Sequence, residues 1–143
     1  MQEDYRKPLP RPTALSKPFW DAAHAGEFVL QHCTTCGAFQ HPPRPLCLSC
    51  WSDTLDWKPA SGRGQVYSFT VAHRTSTKGF RDETPYVVAI VETDEGARLT
   101  TNIVGCDPAG LRIGMAVEVV LDRVTDAVTL PKFTPANSAG QSA

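Results

Sequence analysis

The sequence predicts a mainly β chain with a short N-terminal helix, a small cysteine-held ribbon and a C-terminal five-stranded barrel. Two observations predict it. Cys33, Cys36, Cys47 and Cys50 form two Cys-x-x-Cys pairs separated by ten residues. Beyond Gly64 the pattern changes to five short alternating or β-branched runs within about 70 residues.

A Cys-x-x-Cys turn aims two thiolates at one ion. Two such turns complete a tetrahedral four-thiolate site, which suits zinc and leaves no open position for catalysis. Gly37, directly after the first pair, lets the backbone fold back without a Cβ clash. The usual gap in a zinc ribbon is roughly 15–20 residues. The shorter gap here implies a tight hairpin, with Pro42, Pro43 and Pro45 stiffening its return. Two disulfides, four unrelated thiols, and iron held by the same ligands remain open alternatives. Four thiolates on a divalent ion carry a net charge of about −2, so the formal −1 understates the loaded chain. Cys106 is left over as a buried or idle thiol.

A chain of 143 residues buries a real core, and one domain plus a small module is its natural size. No apolar run approaches the ~18–20 residues of a membrane helix, and Met1 is followed by polar residues rather than a signal core. That context favours metal binding in a reducing cytoplasm over disulfides.

Residues 1–12 are polar, and Pro8, Pro10 and Pro12 favour an extended arm or a disordered tail. Thr13 to Ala25 reads as a helix, with Ser16 as its cap, Pro18 in its first turn and Gly26 ending it. Phe19, Ala22 and Ala23 share one face, with Trp20 and His24 beside them. So short a helix must pack on the ribbon, on the barrel or on another chain. His24 reads as a capping or surface residue rather than a ligand.

Glu27 to His32 reads as the strand leading into the first cysteine pair, and Ala38 to His41 as its return. Phe28 and Leu30 lie on one side of the first strand, Val29 and Gln31 on the other. His32 and His41 sit near the sulfurs without being needed as ligands. Trp51 and Trp57 are expected to cover the site or join it to the next domain. Pro59 to Gly64 is the turn-rich boundary. The expected division is arm and helix over 1–26, ribbon over 27–58, barrel over 59–135 and a disordered tail over 136–143, the fraying beginning near Thr134.

In the barrel, Gln65 to Arg74 alternates, with Val66, Ser68, Thr70 and Ala72 on one side and Tyr67, Phe69, Val71 and His73 on the other. Tyr86 to Thr93 and Ala97 to Val104 form a hairpin about Asp94-Glu95-Gly96. Cys106 to Gly114 is a helix-poor link, and Met115 to Val124 and Ala127 to Phe133 complete the set. Five such strands fit a barrel of the OB type, with a sandwich as the alternative.

The residues resemble a known family in their order. Phe19-Trp20 precedes Cys33-x-x-Cys36-Gly37, Pro42-Pro43-Arg44 and Cys47-x-x-Cys50. Trp57, Ser61-Gly62-x-Gly64 and Val66 to Val71 follow, then Pro85 to Val91, Glu95-Gly96, Asn102 to Gly105, Ile113 to Val117 and Pro131 to Phe133. This order is similar to that of the family once called domain of unknown function thirty-five, over roughly residues 15 to 135. Pro45 and Leu48 depart from a pattern in which proline follows the third cysteine. The resemblance implies a rubredoxin-like zinc ribbon joined to an OB fold, with one structural zinc on Cys33, Cys36, Cys47 and Cys50. It also implies a non-catalytic subunit beside a thiolase-like or lipid-transfer-protein-like catalytic subunit. Such partners make or break carbon–carbon bonds on acyl-CoA, as thiolases, acyltransferases or steroid side-chain retro-aldolases. Others of the family work beside hotdog-fold hydratases.

Arg74, Lys78, Phe80 and Arg81 are candidate contacts for CoA, because basic groups beside an aromatic suit phosphates and adenine. A solvated loop is the plainer reading of that stretch. Single-stranded nucleic acid is the rival ligand for an OB barrel with a zinc ribbon. Charge argues against it, since Ser61 to Pro131 holds seven Lys and Arg against nine Asp and Glu. An iron electron carrier is a third reading. A Cys106–His73 nucleophile pair is conceivable, but nothing in the sequence places the two together.

Overall fold

Helix α1 (Lys17–His24) opens the computed structural model, which describes residues 9–73 and 85–136. The helix is four residues shorter at its start than the sequence predicts. Thr13 and Ser16 use their side chains on each other: the Thr13 N–H donates to Ser16 Oγ at 2.9 Å and the Ser16 N–H to Thr13 Oγ1 at 3.1 Å. Ser16 is the boundary residue but makes no capping bond. Past the helix, Gly26 takes φ +89° and the Glu27 N–H donates to the Ala22 carbonyl at 2.8 Å, closing the end.

The ribbon is a three-stranded antiparallel sheet, ordered β2 (Phe39–Gln40), β1 (Val29–Cys33), β3 (Leu55–Pro59). β1 begins two residues later than expected, and both of its faces are covered. β3 is an unexpected strand; it pairs Val29 with Pro59 through to Cys33 with Leu55.

The barrel is closed in the order β4 (Arg63–Ala72), β5 (Tyr86–Thr93), β6 (Arg98–Ile103), β8 (Thr129–Pro135), β7 (Ala116–Arg123). β7 returns to β4, while β6 and β8 meet in parallel at Ile103 and Phe133. Closure removes the sandwich alternative and leaves no open edge in this sheet. Gly64 sits at the seam, where a Cβ would strike the Glu92 carbonyl of β5. β5 forms where the β-branched run predicts a strand, and its burial alternates, with Val87, Ala89, Val91 and Thr93 buried. β4 does not. A bulge between Val66 and Ser68 changes its phase, so Val66 points inward together with Phe69 and Val71, while Tyr67 is exposed. The helix-poor link holds only a 3₁₀ turn, Pro108–Gly110. Thr134 and Pro135, expected at the fraying end, pair with Glu118 and Val117 of β7. Residues 137–143 lie outside the described residues.

One apolar core runs through ribbon, helix and barrel. Phe19 of α1, Phe28 and Leu30 of the ribbon, and Val66, Val91, Val117 and Phe133 of the barrel all belong to it. Phe28 meets Phe19 and Phe133 edge-on at 6.2 and 6.1 Å. Trp57 packs against this core from β3, as the sequence predicts. The Ala60 N–H donates to the Phe28 carbonyl at 2.9 Å, and the Ser61 N–H to Glu95 Oε2 at 2.8 Å, tying the connection to both sides. No helix among the described residues is long and apolar enough to cross a membrane.

Candidate metal centre

The two Cys-x-x-Cys turns repeat one local geometry. After the first pair the Gly37 N–H donates to the Cys33 carbonyl at 2.9 Å; after the second the Trp51 N–H donates to the Cys47 carbonyl at 2.9 Å. The Cys36 N–H approaches Cys33 Sγ at 3.5 Å and the Cys50 N–H approaches Cys47 Sγ at 3.5 Å. Both turns end in the left-handed region, Gly37 at φ +81° and Trp51 at φ +67°. Glycine adopts that conformation freely, while a bulky residue there is strained.

All four sulfurs lie within 4.8 Å of one another. Cys33 and Cys50 are 3.6 Å apart, as are Cys36 and Cys47. A tetrahedron with metal–sulfur bonds of ~2.3 Å has edges of about 3.8 Å, so the cage fits a four-thiolate ion. A disulfide needs ~2.05 Å; all five cysteines are free thiols, so disulfide pairing is not the arrangement here. Cys33 and Cys47 are buried at the inner side, Cys36 and Cys50 exposed at the outer.

Electrostatics point the same way. The Cys36 N–H, with further N–H groups, holds Cys33 down to about 6, and the Cys50 N–H lowers Cys47. Cys50 is pushed up to about 12: the Ser52 N–H draws it down, but burial and the three neighbouring sulfurs outweigh it. Cys36 is raised in the same manner, the Ala38 N–H being outweighed by the Cys47 sulfur and burial. Four sulfurs this close ionise together only around a cation.

A buried pair of glutamines, absent from the sequence reading, fixes the link between the turns. Gln31 Oε1 accepts from Gln40 Nε2 at 2.7 Å and from the Arg44 N–H at 2.8 Å, while Gln31 Nε2 donates to the Arg44 carbonyl at 2.9 Å. Gln40 Nε2 also donates to the Leu46 carbonyl at 3.2 Å, and Gln40 Oε1 accepts from the Leu48 N–H at 2.9 Å. Two side chains thus satisfy a segment with no strand partner. The available signal is slight: a glutamine after an apolar residue and before a histidine in each of the two predicted strands, Leu30-Gln31-His32 and Phe39-Gln40-His41.

The remaining candidates separate. His32 bonds Asp56 Oδ1 at 2.8 Å and leans on Phe39. His41 packs on Phe19 with its Nδ1 unpartnered, and burial pushes it down to about 4. His24 is neither a cap nor a free surface residue. Arg123 Nη2 donates to its Nε2 at 2.9 Å, so its Nδ1 carries the proton toward Thr129 Oγ1 at 2.8 Å, tying α1 to β7 and β8. Trp51, expected to cover the site, is 74% exposed. Cys106 is partly buried against the core, and burial with Asp107 raises its pKa, against the thiolate a nucleophile requires. Arg74, Lys78, Phe80 and Arg81 lie outside the described residues.

Two family models match: the ChsH2 rubredoxin-like zinc ribbon domain over residues 20–56 and the ChsH2 C-terminal OB-fold domain over residues 57–122. A probable enoyl-CoA hydratase alpha subunit of Thermomonospora curvata is 44% identical over 89% of this chain, which spans only 40% of that relative's length. A DUF35 domain-containing scaffold protein of Methanocaldococcus jannaschii is 41% identical over 66% of this chain and 67% of its own. The benzoylsuccinyl-CoA thiolase subunit BbsA of Thauera aromatica is 30% identical over 66% and 62%. Among solved structures, a chain of the Ltp2–ChsH2(DUF35) aldolase superposes with a TM-score of 0.79 at 40% identity, covering 88% of this chain and 98% of that one. With its four-sulfur metal site, ribbon and closed OB barrel, the chain belongs to the DUF35 family.

Proposed function

We propose that this chain is a non-catalytic scaffold subunit of an acyl-CoA-processing assembly, in which a thiolase-like subunit makes or breaks a carbon–carbon bond. One zinc ion per chain is held by Cys33, Cys36, Cys47 and Cys50, and its role is architectural. Four thiolates fill a tetrahedral ion and leave no position for substrate or water. Zinc is proposed over iron because the family model matched over residues 20–56 is a zinc ribbon. Residues 27–58 form the metal-dependent unit and 59–135 the barrel. Free thiols around such a site suit a reducing compartment, and the cytoplasm is the proposed location.

The observation that carries this reading is the likeness to the chain of the Ltp2–ChsH2(DUF35) aldolase, which extends through ribbon and barrel together. The BbsA thiolase subunit supports a thiolase-like partner. The hydratase alpha subunit of T. curvata favours a second reading, in which the partner is a hydratase. Nucleic-acid binding is disfavoured by charge, since an exposed basic–aromatic pair, Arg98 over Tyr67 at 3.9 Å, stands on a barrel segment with seven Lys and Arg against nine Asp and Glu.

Co-purification from the native source, with mass spectrometry of the associated chain and metal analysis, tests the proposal. A thiolase-like chain in even stoichiometry and one zinc per copy of this chain are expected. A hydratase in its place selects the second reading, and absence of any associated chain rejects both.

A further inference from the structure

We infer that the tip of the second cysteine turn, built from Leu46, Leu48 and Trp51, is the anchor by which this chain docks into an apolar cleft with a basic rim on the catalytic subunit. The inference deepens the proposed scaffold role and rests on it.

The two turns hold their sulfurs by the same backbone bonds, yet differ where each leaves the metal site. The first ends in Gly37 and the second in Trp51, both with positive φ. Metal binding does not require a tryptophan there, since Gly37 serves the same hydrogen bond. Local stability disfavours one, because a bulky side chain in this region is strained. Nor does the fold use the ring, which is 74% exposed. Leu46 and Leu48 flank Cys47 at 40% and 59% exposure. One turn of chain therefore carries three large apolar side chains into solvent.

The backbone of the tip is held before any partner arrives. The buried Gln40 amide holds the Leu46 carbonyl and the Leu48 N–H, and the Trp51 N–H is bonded to Cys47. A preordered backbone lowers the ordering cost of docking, and tryptophan is prominent among residues that dominate interface energy. Charge selects the occupant. Residues 46–53 contain no Lys or Arg, and Asp53 adds to the roughly −2 of a four-thiolate divalent site. An apolar cleft rimmed by Lys or Arg complements that combination; a second copy of the same acidic tip repels it.

The test is a binding titration of the zinc-loaded full-length chain against the catalytic subunit identified by co-purification, comparing Trp51→Gly and Leu48→Asn with wild type. Zinc content and thermal midpoint are read in parallel. Trp51→Gly removes the strained residue, so its midpoint is expected to hold or rise while its Kd weakens about thirty-fold or more. Leu48→Asn is expected to keep zinc and weaken binding about five-fold or more, and it decides the matter should Trp51→Gly misfold. Affinities within two-fold of wild type for the folded variants overturn this inference and leave the scaffold role standing. A wild-type chain that forms no complex overturns both.

Discussion

The ribbon and the barrel hold themselves together by different means. The ribbon has strands of five, two and five residues, and away from Phe28 and Leu30, which join the shared core, it buries sulfur and amide: Cys33, Cys47, Gln31 and Gln40. The barrel closes strands of six to ten residues around Val66, Val91, Val117 and Phe133. A small module that cannot bury enough apolar surface replaces it with a metal cage and a polar network. The two meet at Phe19, Phe28 and Phe133, so the boundary between them is itself apolar.

Removing one sulfur separates the two regions most sharply. Cys47→Ser is expected to abolish metal binding, with a loss on the order of 10 kcal/mol in the ribbon's apparent stability. Amide exchange then accelerates in β1 and β3 while β5 and β6 stay protected. Equal loss in all four strands would show that no such division exists. Phe133→Ala, which empties a fully buried site shared by both regions, should cost about 3–5 kcal/mol by denaturant unfolding. Its effect should reach α1 as well as the barrel.

Acid provides a subtler probe. Burial holds His41 down to about 4 in the folded chain, against 6.5 when exposed. Below 6.5 the unfolded state takes up the proton and the folded state refuses it, so stability falls with pH between about 6.5 and 4. The contribution, about 3 kcal/mol, is complete above 6.5 and lost by 4. His41→Phe keeps a ring against Phe19 but cannot titrate. The difference between wild type and this variant in unfolding free energy, measured at pH 7 and pH 4.5, isolates the effect from thiolate protonation common to both. Gln40→Ala is a smaller lesion. It leaves the Leu48 N–H and part of Gln31 unpartnered, and is expected to cost about 1–3 kcal/mol while zinc still binds.

Legibility of this fold in the sequence depended on what each segment encodes locally. Spacing alone points to the four sulfurs that the fold brings together, because both cysteines of each pair lie in a single turn. β5 is readable because Tyr86 to Thr93 is a β-branched run closed by the Asp94-Glu95-Gly96 turn, and its alternating burial shows only in the barrel. β4 misled because one bulged residue inverts the phase between Val66 and Phe69, and bulges are set by the neighbouring strand. β3 was hidden since Leu55-Asp56-Trp57-Lys58-Pro59 has no β-branched run; its strand character comes from pairing with β1. Gln31 and Gln40 carry no periodic signature, and their roles arise only once distant backbone groups converge on them. Trp51 reads as a cover for the metal site until its positive φ and exposure place it outside.

A scaffold subunit supports chemistry performed by another polypeptide. Turnover of a CoA thioester by the purified, zinc-loaded chain alone, by the co-purified catalytic subunit alone and by the two together measures it directly. No turnover above background is expected from this chain alone, and higher or longer-lived activity when it is added to its partner. Turnover by the isolated chain would contradict the scaffold role.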